Sequence, residues 1–96
     1  MAPNFVASTN EPFWTVSVQD RAVVLTGLEG KRVMQLQSNE ALFDGRNVIA
    51  IDALGRVEVR VTPRACQDSM SGENFPFTAR VTVDQEAPVL GCARAQ

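Results

Sequence analysis

The chain has 96 residues, 45% of them apolar, and a formal charge of −2 from 9 basic and 11 acidic residues spread along its length. This size and composition are typical of one globular domain, and no basic block is available to neutralise a nucleic-acid backbone. No apolar run approaches the roughly 20 residues of a membrane-spanning helix. We therefore expect a single β domain over residues 1–96, with residues 1–4 as a linker remnant, and no nucleic-acid partner.

The predicted elements are all β-strands, because apolar and polar residues alternate with period 2 and no segment has a helical apolar stripe. The alternation is clearest over Trp14–Gln19, Val57–Thr62 and Phe77–Asp84. In chain order the predicted strands are Phe5–Ser8, Trp14–Gln19, Ala22–Thr26, Arg32–Gln37, Val48–Ala53, Val57–Thr62, Phe77–Asp84 and Val89–Ala93.

The connections between these strands are of two kinds. Gln19–Asp20, Leu28–Gly30 and Leu54–Gly55 offer the Asp or Gly of a tight turn, so strands adjacent in sequence are predicted to pair. Ser38–Asn47 is predicted to be a loop that ends in an Asp-Gly turn rather than a helical turn. Pro63–Pro76 is predicted to be a long connection without regular structure, a kind of segment that often carries function.

A sheet of many short antiparallel strands leaves two exposed edges unless it closes on itself. The predicted fold is therefore all-β, a small closed antiparallel barrel of about eight short strands. A β-sandwich and a five-stranded OB-like barrel are the alternatives.

Catalytic chemistry has few possible carriers in this sequence. The chain has no His, which removes the commonest general base and the commonest metal ligand. A carboxylate pair for glycoside hydrolysis could be drawn from Glu11, Asp68 and Glu73, but 11 acidic residues produce such pairs by chance. We predict no catalytic residues, no metal site and no cofactor, and hence that the protein is not an enzyme.

The two cysteines, Cys66 and Cys92, stand 26 positions apart. A disulfide between them would staple the last strand, and two cysteines in a small domain favour export, because disulfides persist in oxidising compartments. The alternative is a reactive thiol.

The segment Asn10–Trp14 concentrates two aromatic residues, a carboxylate and a proline just before a predicted strand. In a structural interpretation, Trp14 plugs one end of the barrel, Phe13 caps it or packs outside, and Pro12 fixes the start of the strand. In a functional interpretation, Phe13 forms a ligand surface with Glu11 as its polar anchor. We take Glu11, Phe13 and Trp14 as candidate binding residues.

The segment Cys66–Gly72 also allows two interpretations. Asp68 could cap neighbouring backbone amides in an Asx-turn while Gly72 takes a positive φ, which is a structural role. Alternatively, Asp68, Met70, Ser71 and Gly72 form part of a binding site, as long loops on β scaffolds often do.

Three separated motifs together resemble a family of bacterial envelope proteins, many of them lipoproteins. They are Asn10–Trp14, Cys66–Pro76 and Gly91–Ala93, and the resemblance covers the chain from Phe5 to Ala93. The family pattern runs Phe-x-Ala-x-Gly-x-Glu-Pro-Phe-Trp, then Cys-x-Asp-x-Met-Ser-x-x-x-Tyr-Pro, then Gly-Cys-Ala.

The sequence departs from that pattern in two places. Thr9 or Asn10 stands near the family's Gly, and Phe75 stands where Tyr is usual, which removes a hydroxyl group. The resemblance implies export, often with an N-terminal lipid anchor that would precede Met1, occasional fusion to META-type domains, and a disulfide between the two cysteines. It brings no established biochemical activity.

We therefore expect a monomeric, non-catalytic accessory or binding domain in the periplasm or anchored to the outer membrane. Its partner would be an envelope protein or a small ligand, and any membrane contact would run through a lipid anchor upstream of Met1. Two alternatives are an inhibitor of an envelope-attacking hydrolase such as lysozyme and a small carrier of apolar ligands. In the inhibitor alternative, the loop around Ser71–Gly72 would enter a catalytic cleft.

Overall fold

The structure is a computed structural model that describes all 96 residues and contains ten β-strands and no helix. Accordingly, nothing helical is long or apolar enough to cross a membrane. The strands are β1 (Phe5–Thr9), β2 (Trp14–Gln19), β3 (Ala22–Gly27), β4 (Gly30–Leu42), β5 (Gly45–Ile51), β6 (Arg56–Thr62), β7 (Cys66–Gln67), β8 (Asn74–Phe75), β9 (Phe77–Val83) and β10 (Val89–Ala95).

Eight of the strands form a closed antiparallel barrel in the order β1-β10-β9-β6-β5-β4-β3-β2. The first and last strands of the chain close it, with Phe5 opposite Ala95 and Thr9 opposite Gly91. All eight predicted strands are present, and the predicted closed barrel is confirmed against the sandwich and OB-like alternatives. Sequence neighbours pair as predicted, except that β6 pairs with β9 across the excursion of β7 and β8.

The apolar side chains of each alternating strand point into the barrel and fill its interior. In β6, for example, Val57, Val59 and Val61 are fully buried, while Glu58 and Arg60 face outward. Sixteen such apolar side chains form one core cluster. An eight-stranded barrel is just wide enough for side chains to fill it, which is what the structure shows.

The predicted loop over Ser38–Asn47 is wrong. Strands β4 and β5 pair through this segment and leave only a two-residue turn between Leu42 and Gly45. A β-bulge shifts the pairing between Leu36 and Ser38, and the apolar alternation on which the prediction rested breaks off at that point. The strand continues beyond the bulge with polar and exposed residues, so alternation could not reveal it.

The connection Pro63–Pro76 is only partly irregular, because β7 and β8 pair within it as a short hairpin. A disulfide between Cys66 and Cys92 holds this hairpin against the outer wall of the barrel, with 5.5 Å between the two Cα atoms. The guanidinium of Arg94 lies 5.4 Å from the centre of the Phe75 ring and adds a second contact. The predicted disulfide is confirmed, and no free thiol is present.

Removing the disulfide should destabilise the fold. The bond closes a loop of 26 residues, for which the chain-entropy model gives about 3.5 kcal/mol. We expect urea unfolding of a Cys66→Ser/Cys92→Ser variant to show a free energy of unfolding lower by about that amount. Reduced wild-type protein serves as the matched control and should lose as much. An unchanged free energy of unfolding in both would show that the disulfide adds nothing to stability.

Candidate functional site

The Glu11–Trp14 segment lies at one end of the barrel, which we call the rim. Because the strands are antiparallel, alternate connections meet there: residues 10–13, 28–29, 52–55 and 84–88. The rim therefore gathers four segments that are far apart in the sequence. The hairpin of β7 and β8 stands beside it on the outer wall.

Trp14 is held at the rim by the buried hydroxyl of Thr9, and its indole ring packs over Gly27, which has no side chain. The Thr9 Oγ1 donates a hydrogen bond to the carbonyl oxygen of Pro12 at 2.7 Å and accepts one from the Trp14 N–H at 3.1 Å. The indole ring covers Gly27 so closely that a Cβ there would lie 2.5 Å from the ring carbon Cζ3. Trp14 thus packs on the core, in line with the structural interpretation, and still lines the rim surface.

Asn10 joins the two motifs that the sequence singled out. Its Nδ2 donates to Asp68 Oδ1 at 3.1 Å and to Ser69 Oγ at 2.8 Å. The other carboxylate oxygen of Asp68 accepts hydrogen bonds from the backbone N–H groups of Ser71, at 2.7 Å, and Met70, at 3.2 Å. Hydrogen bonds from Ser71, first from its backbone N–H and then from its hydroxyl, lower the pKa of Asp68, and Asn10 lowers it further.

In the loop over residues 68–72, Asp68, Ser71 and Gly72 stabilise the turn, and Met70 projects from it. The carboxylate of Asp68 organises the turn, and Gly72 takes a φ of +75° and donates its N–H to the Asp68 carbonyl at 2.9 Å. The hydroxyl of Ser71 accepts from the N–H of Glu73 within the same turn. Met70 extends from this turn with 74% of its surface exposed, so it is the loop side chain most available to a partner.

Three neighbouring grooves run along the rim. The largest, the aromatic groove, has a volume of about 560 Å³ and is lined by Phe13 and Trp14 among others. A second of about 470 Å³ shares Pro12 and Glu86 with it. A third of about 370 Å³ contains Met70 and shares Glu11 and Leu90 with the second. We call the three together the rim track, because these shared residues make them continuous.

Several apolar residues of the rim track were not predicted from the sequence. Leu28, Leu54 and Leu90 are 89%, 76% and 72% exposed, and each lines one or more of the grooves. Leu28 and Leu54 occupy tight turns, and Leu90 stands in the outward phase of its strand. Large apolar residues at positions where a turn or an outer face normally has polar ones are the signal that could have identified them.

A partly buried ion cluster fixes two of the rim connections. The Arg32 guanidinium donates to both Asp52 oxygens at 2.8 Å and to both Asp84 oxygens at 3.0 Å. Asp52 also accepts from the N–H groups of Leu54 and Gly55. The hydrogen bonds to Arg32 hold the pKa of Asp52 at about 2 and lower that of Asp84, while those carboxylates raise the pKa of Arg32.

The carboxylates considered for catalysis are not gathered into one cleft. Glu11 lines the rim track, Asp68 is engaged by the amides of its own turn, and Glu73 pairs with Arg94 at 3.4 Å on the outer wall. No group of three His, Cys, Asp or Glu residues is placed to hold a metal ion. The rim presents apolar and aromatic surface bordered by carboxylates.

Comparisons of the chain with family models, with curated proteins and with solved structures return no match.

Stability should depend on acid pH through Asp52. Because its pKa falls from 3.8 to about 2 on folding, its contribution is fully present above about pH 4 and is lost as the pH falls toward 2. We expect urea unfolding between about pH 5 and about pH 2 to show a steeper loss of stability in wild type than in Asp52→Asn. Asp44→Asn, which alters an exposed pair with Arg60, should keep the wild-type slope. Equal slopes for wild type and Asp52→Asn would contradict the cluster's role.

Asn10 should control the order of the neighbouring loop. We expect Asn10→Ala to speed amide hydrogen exchange over residues 68–73 at least about tenfold, because it removes both side-chain hydrogen bonds to the loop. Exchange in β6, which does not contact Asn10, is the internal control. Unchanged exchange in the loop would show that the turn is ordered by Asp68 alone.

Proposed function

We propose that this protein is a non-catalytic binding domain of the bacterial cell envelope that holds its partner on the rim track. The observation that carries the proposal is that five of the ten large exposed apolar side chains line continuous grooves at one end of the barrel, whereas the other five line none of these grooves. Contiguous exposed apolar surface of this kind commonly marks an interaction site. Phe13, Leu28, Leu54, Met70 and Leu90 supply it here.

The rigidity of the rim supports a binding role. Segments that bind are most effective when a stiff scaffold holds them in the bound shape, because less conformational freedom is then lost. Arg32 holds the 52–55 and 84–88 connections, and Asn10 holds the turn that carries Met70. The surface is thus formed before any partner arrives.

Two observations support an envelope location. The Cys66–Cys92 disulfide is of the type that persists in oxidising compartments such as the periplasm. The three motifs resemble a family of exported proteins, and in the periplasm or at the outer membrane a lipid anchor upstream of Met1 would retain the domain.

The ion pairs and hydrogen bonds of several carboxylates support a non-catalytic role. Asp52 and Asp84 share one guanidinium, and the Asp68 carboxylate accepts hydrogen bonds from backbone amides. A carrier role would require an enclosed cavity, and apolar side chains occupy the barrel interior instead.

Inhibition of an envelope-attacking hydrolase such as lysozyme is the second candidate function. The observation that favours it is the loop over residues 68–72, a braced turn with Met70 projecting from it. Such a turn could enter a cleft. Failure to inhibit c-type lysozymes at micromolar concentrations would remove this candidate and leave the binding role intact.

The binding role is tested by pull-down from a bacterial envelope extract with purified protein. We expect a Phe13→Ala/Leu28→Ala/Met70→Ala variant to lose at least about 90% of the captured partner, because hot-spot residues carry most interface energy. The matched control is Val33→Ala/Phe43→Ala, which removes exposed apolar groups that lie outside the rim track. Capture that survives in the first variant, or is lost equally in both, would contradict the proposal.

A further inference from the structure

We infer that the partner of the rim track is a polypeptide that presents an extended, cationic segment with interspersed apolar residues. The inference rests on the proposed function and specifies the chemistry of the partner. It depends on charge, on the shape of the track and on the aromatic surface within it.

The negative charge of the chain is concentrated on the rim. The track and the ion cluster beneath it contain five carboxylates and only two cations, whereas the rest of the chain contains seven cations and six carboxylates. The rim thus has a formal charge of −3 in a chain whose total is −2. The five carboxylates are Glu11, Glu29, Asp52, Asp84 and Glu86.

Three of these carboxylates are available to a partner. Glu11, Glu29 and Glu86 are exposed and form no ion pair, whereas Asp52 and Asp84 share Arg32. One exposed and unpaired cation, Lys31, also lines the aromatic groove, so the unpaired groups of the track carry a net charge of −2. A surface with a net negative charge attracts cationic partners and repels nucleic acid and anionic lipid. Charge complementarity therefore selects a cationic partner.

The shape of the track favours an extended chain. Its three grooves follow one another along the rim and are open to solvent, and each has the volume of one or a few side chains. A segment of about eight extended residues spans roughly 27 Å, which is shorter than the 34 Å longest extent of the molecule, so such a segment can follow the grooves without extending beyond the barrel. Such a segment could place apolar side chains against Leu28 and Leu90 while its basic side chains reach Glu11 and Glu86.

The aromatic groove adds a preference for basic side chains. The rings of Phe13 and Trp14 line it together with Glu29 and Glu86. A cation over an aromatic face is attracted by the ring quadrupole, most strongly for Trp. Lys31 and Arg32 also line this groove, but with Glu29, Asp84 and Glu86 its formal charge is −1, so its net charge adds to the attraction of the rings for a lysine or arginine.

Trp14 provides a direct readout of occupancy. It is the only Trp, and the chain has no Tyr, so emission excited at long wavelength reports the aromatic groove alone. The probe is a capped synthetic peptide of about eight residues in which Lys and Leu alternate, so that both faces of an extended strand are defined. Peptides with Ser or Glu in place of Lys are the comparisons.

We expect a saturable change in Trp14 emission with the Lys-Leu peptide and at least about tenfold weaker binding of the Ser-Leu peptide. Raising NaCl from about 50 mM to about 300 mM should weaken the Lys-Leu complex about tenfold, because exposed charges are screened. Absence of any change with the Lys-Leu peptide, or equal binding of the Ser-Leu peptide, would overturn the inference.

Two variants with the same change in net charge distinguish the effect of the track carboxylates on peptide binding from the effect of overall charge. Glu11→Gln/Glu29→Gln/Glu86→Gln should raise the dissociation constant at least about tenfold. Asp20→Asn/Glu40→Gln/Asp44→Asn, which alters exposed carboxylates outside the track, should change it less than about twofold. Equal effects would assign the binding to net charge and overturn the inference.

The inference and the proposed function can fail separately. If the Lys-Leu peptide does not bind but the pull-down still depends on Phe13, Leu28 and Met70, the surface assignment stands and the cationic partner is wrong. If the pull-down is insensitive to those residues, the surface assignment itself is wrong.

Discussion

The closing of the barrel by its first and last strands is the constraint on which the rest of the structure depends. The pairing of β1 with β10 leaves no open sheet edge and places the end of the chain against its beginning. The closeness of these strands explains Gly91, since a Cβ there would lie 2.0 Å from the Ser8 carbonyl oxygen. The neighbouring Cys92 faces outward and fastens the hairpin to the same strand. The short Gly-Cys-Ala motif therefore has a structural explanation that needs no ligand.

The other motifs combine framework and contact residues. Asp68 and Gly72 shape a turn, and Asn10 ties that turn to the rim, so these polar residues are occupied within the fold. The residues beside them, Phe13 and Met70, keep a large exposed surface. Framework residues of this kind favour binding, because a loop without them would be flexible when free and would lose that conformational freedom on binding, which weakens the complex.

Much of the fold could be predicted from the sequence because alternation records which side of a strand faces the core. It failed where a bulge changed the phase, after Leu36, and in the paired segment that follows. The candidate site was predictable only in part. Leu28 and Leu54 come from separate turns, and Arg32 joins Asp52 to Asp84 across 20 and 52 positions, so only the closed barrel brings these residues together. No local sequence pattern indicates which of these distant residues come into contact.

The two ends of the chain meet at the side of the barrel away from the rim. Phe5 begins β1 and Ala95 ends β10 as direct partners, and the N–H of Gln96 donates to the Asn4 carbonyl just outside the barrel. Any segment joined to either terminus therefore leaves from the same pole, opposite the rim track. A tether, a membrane anchor or a second domain attached there would lie at the pole opposite the track. The rim track would then face away from the attachment and stay accessible to a partner.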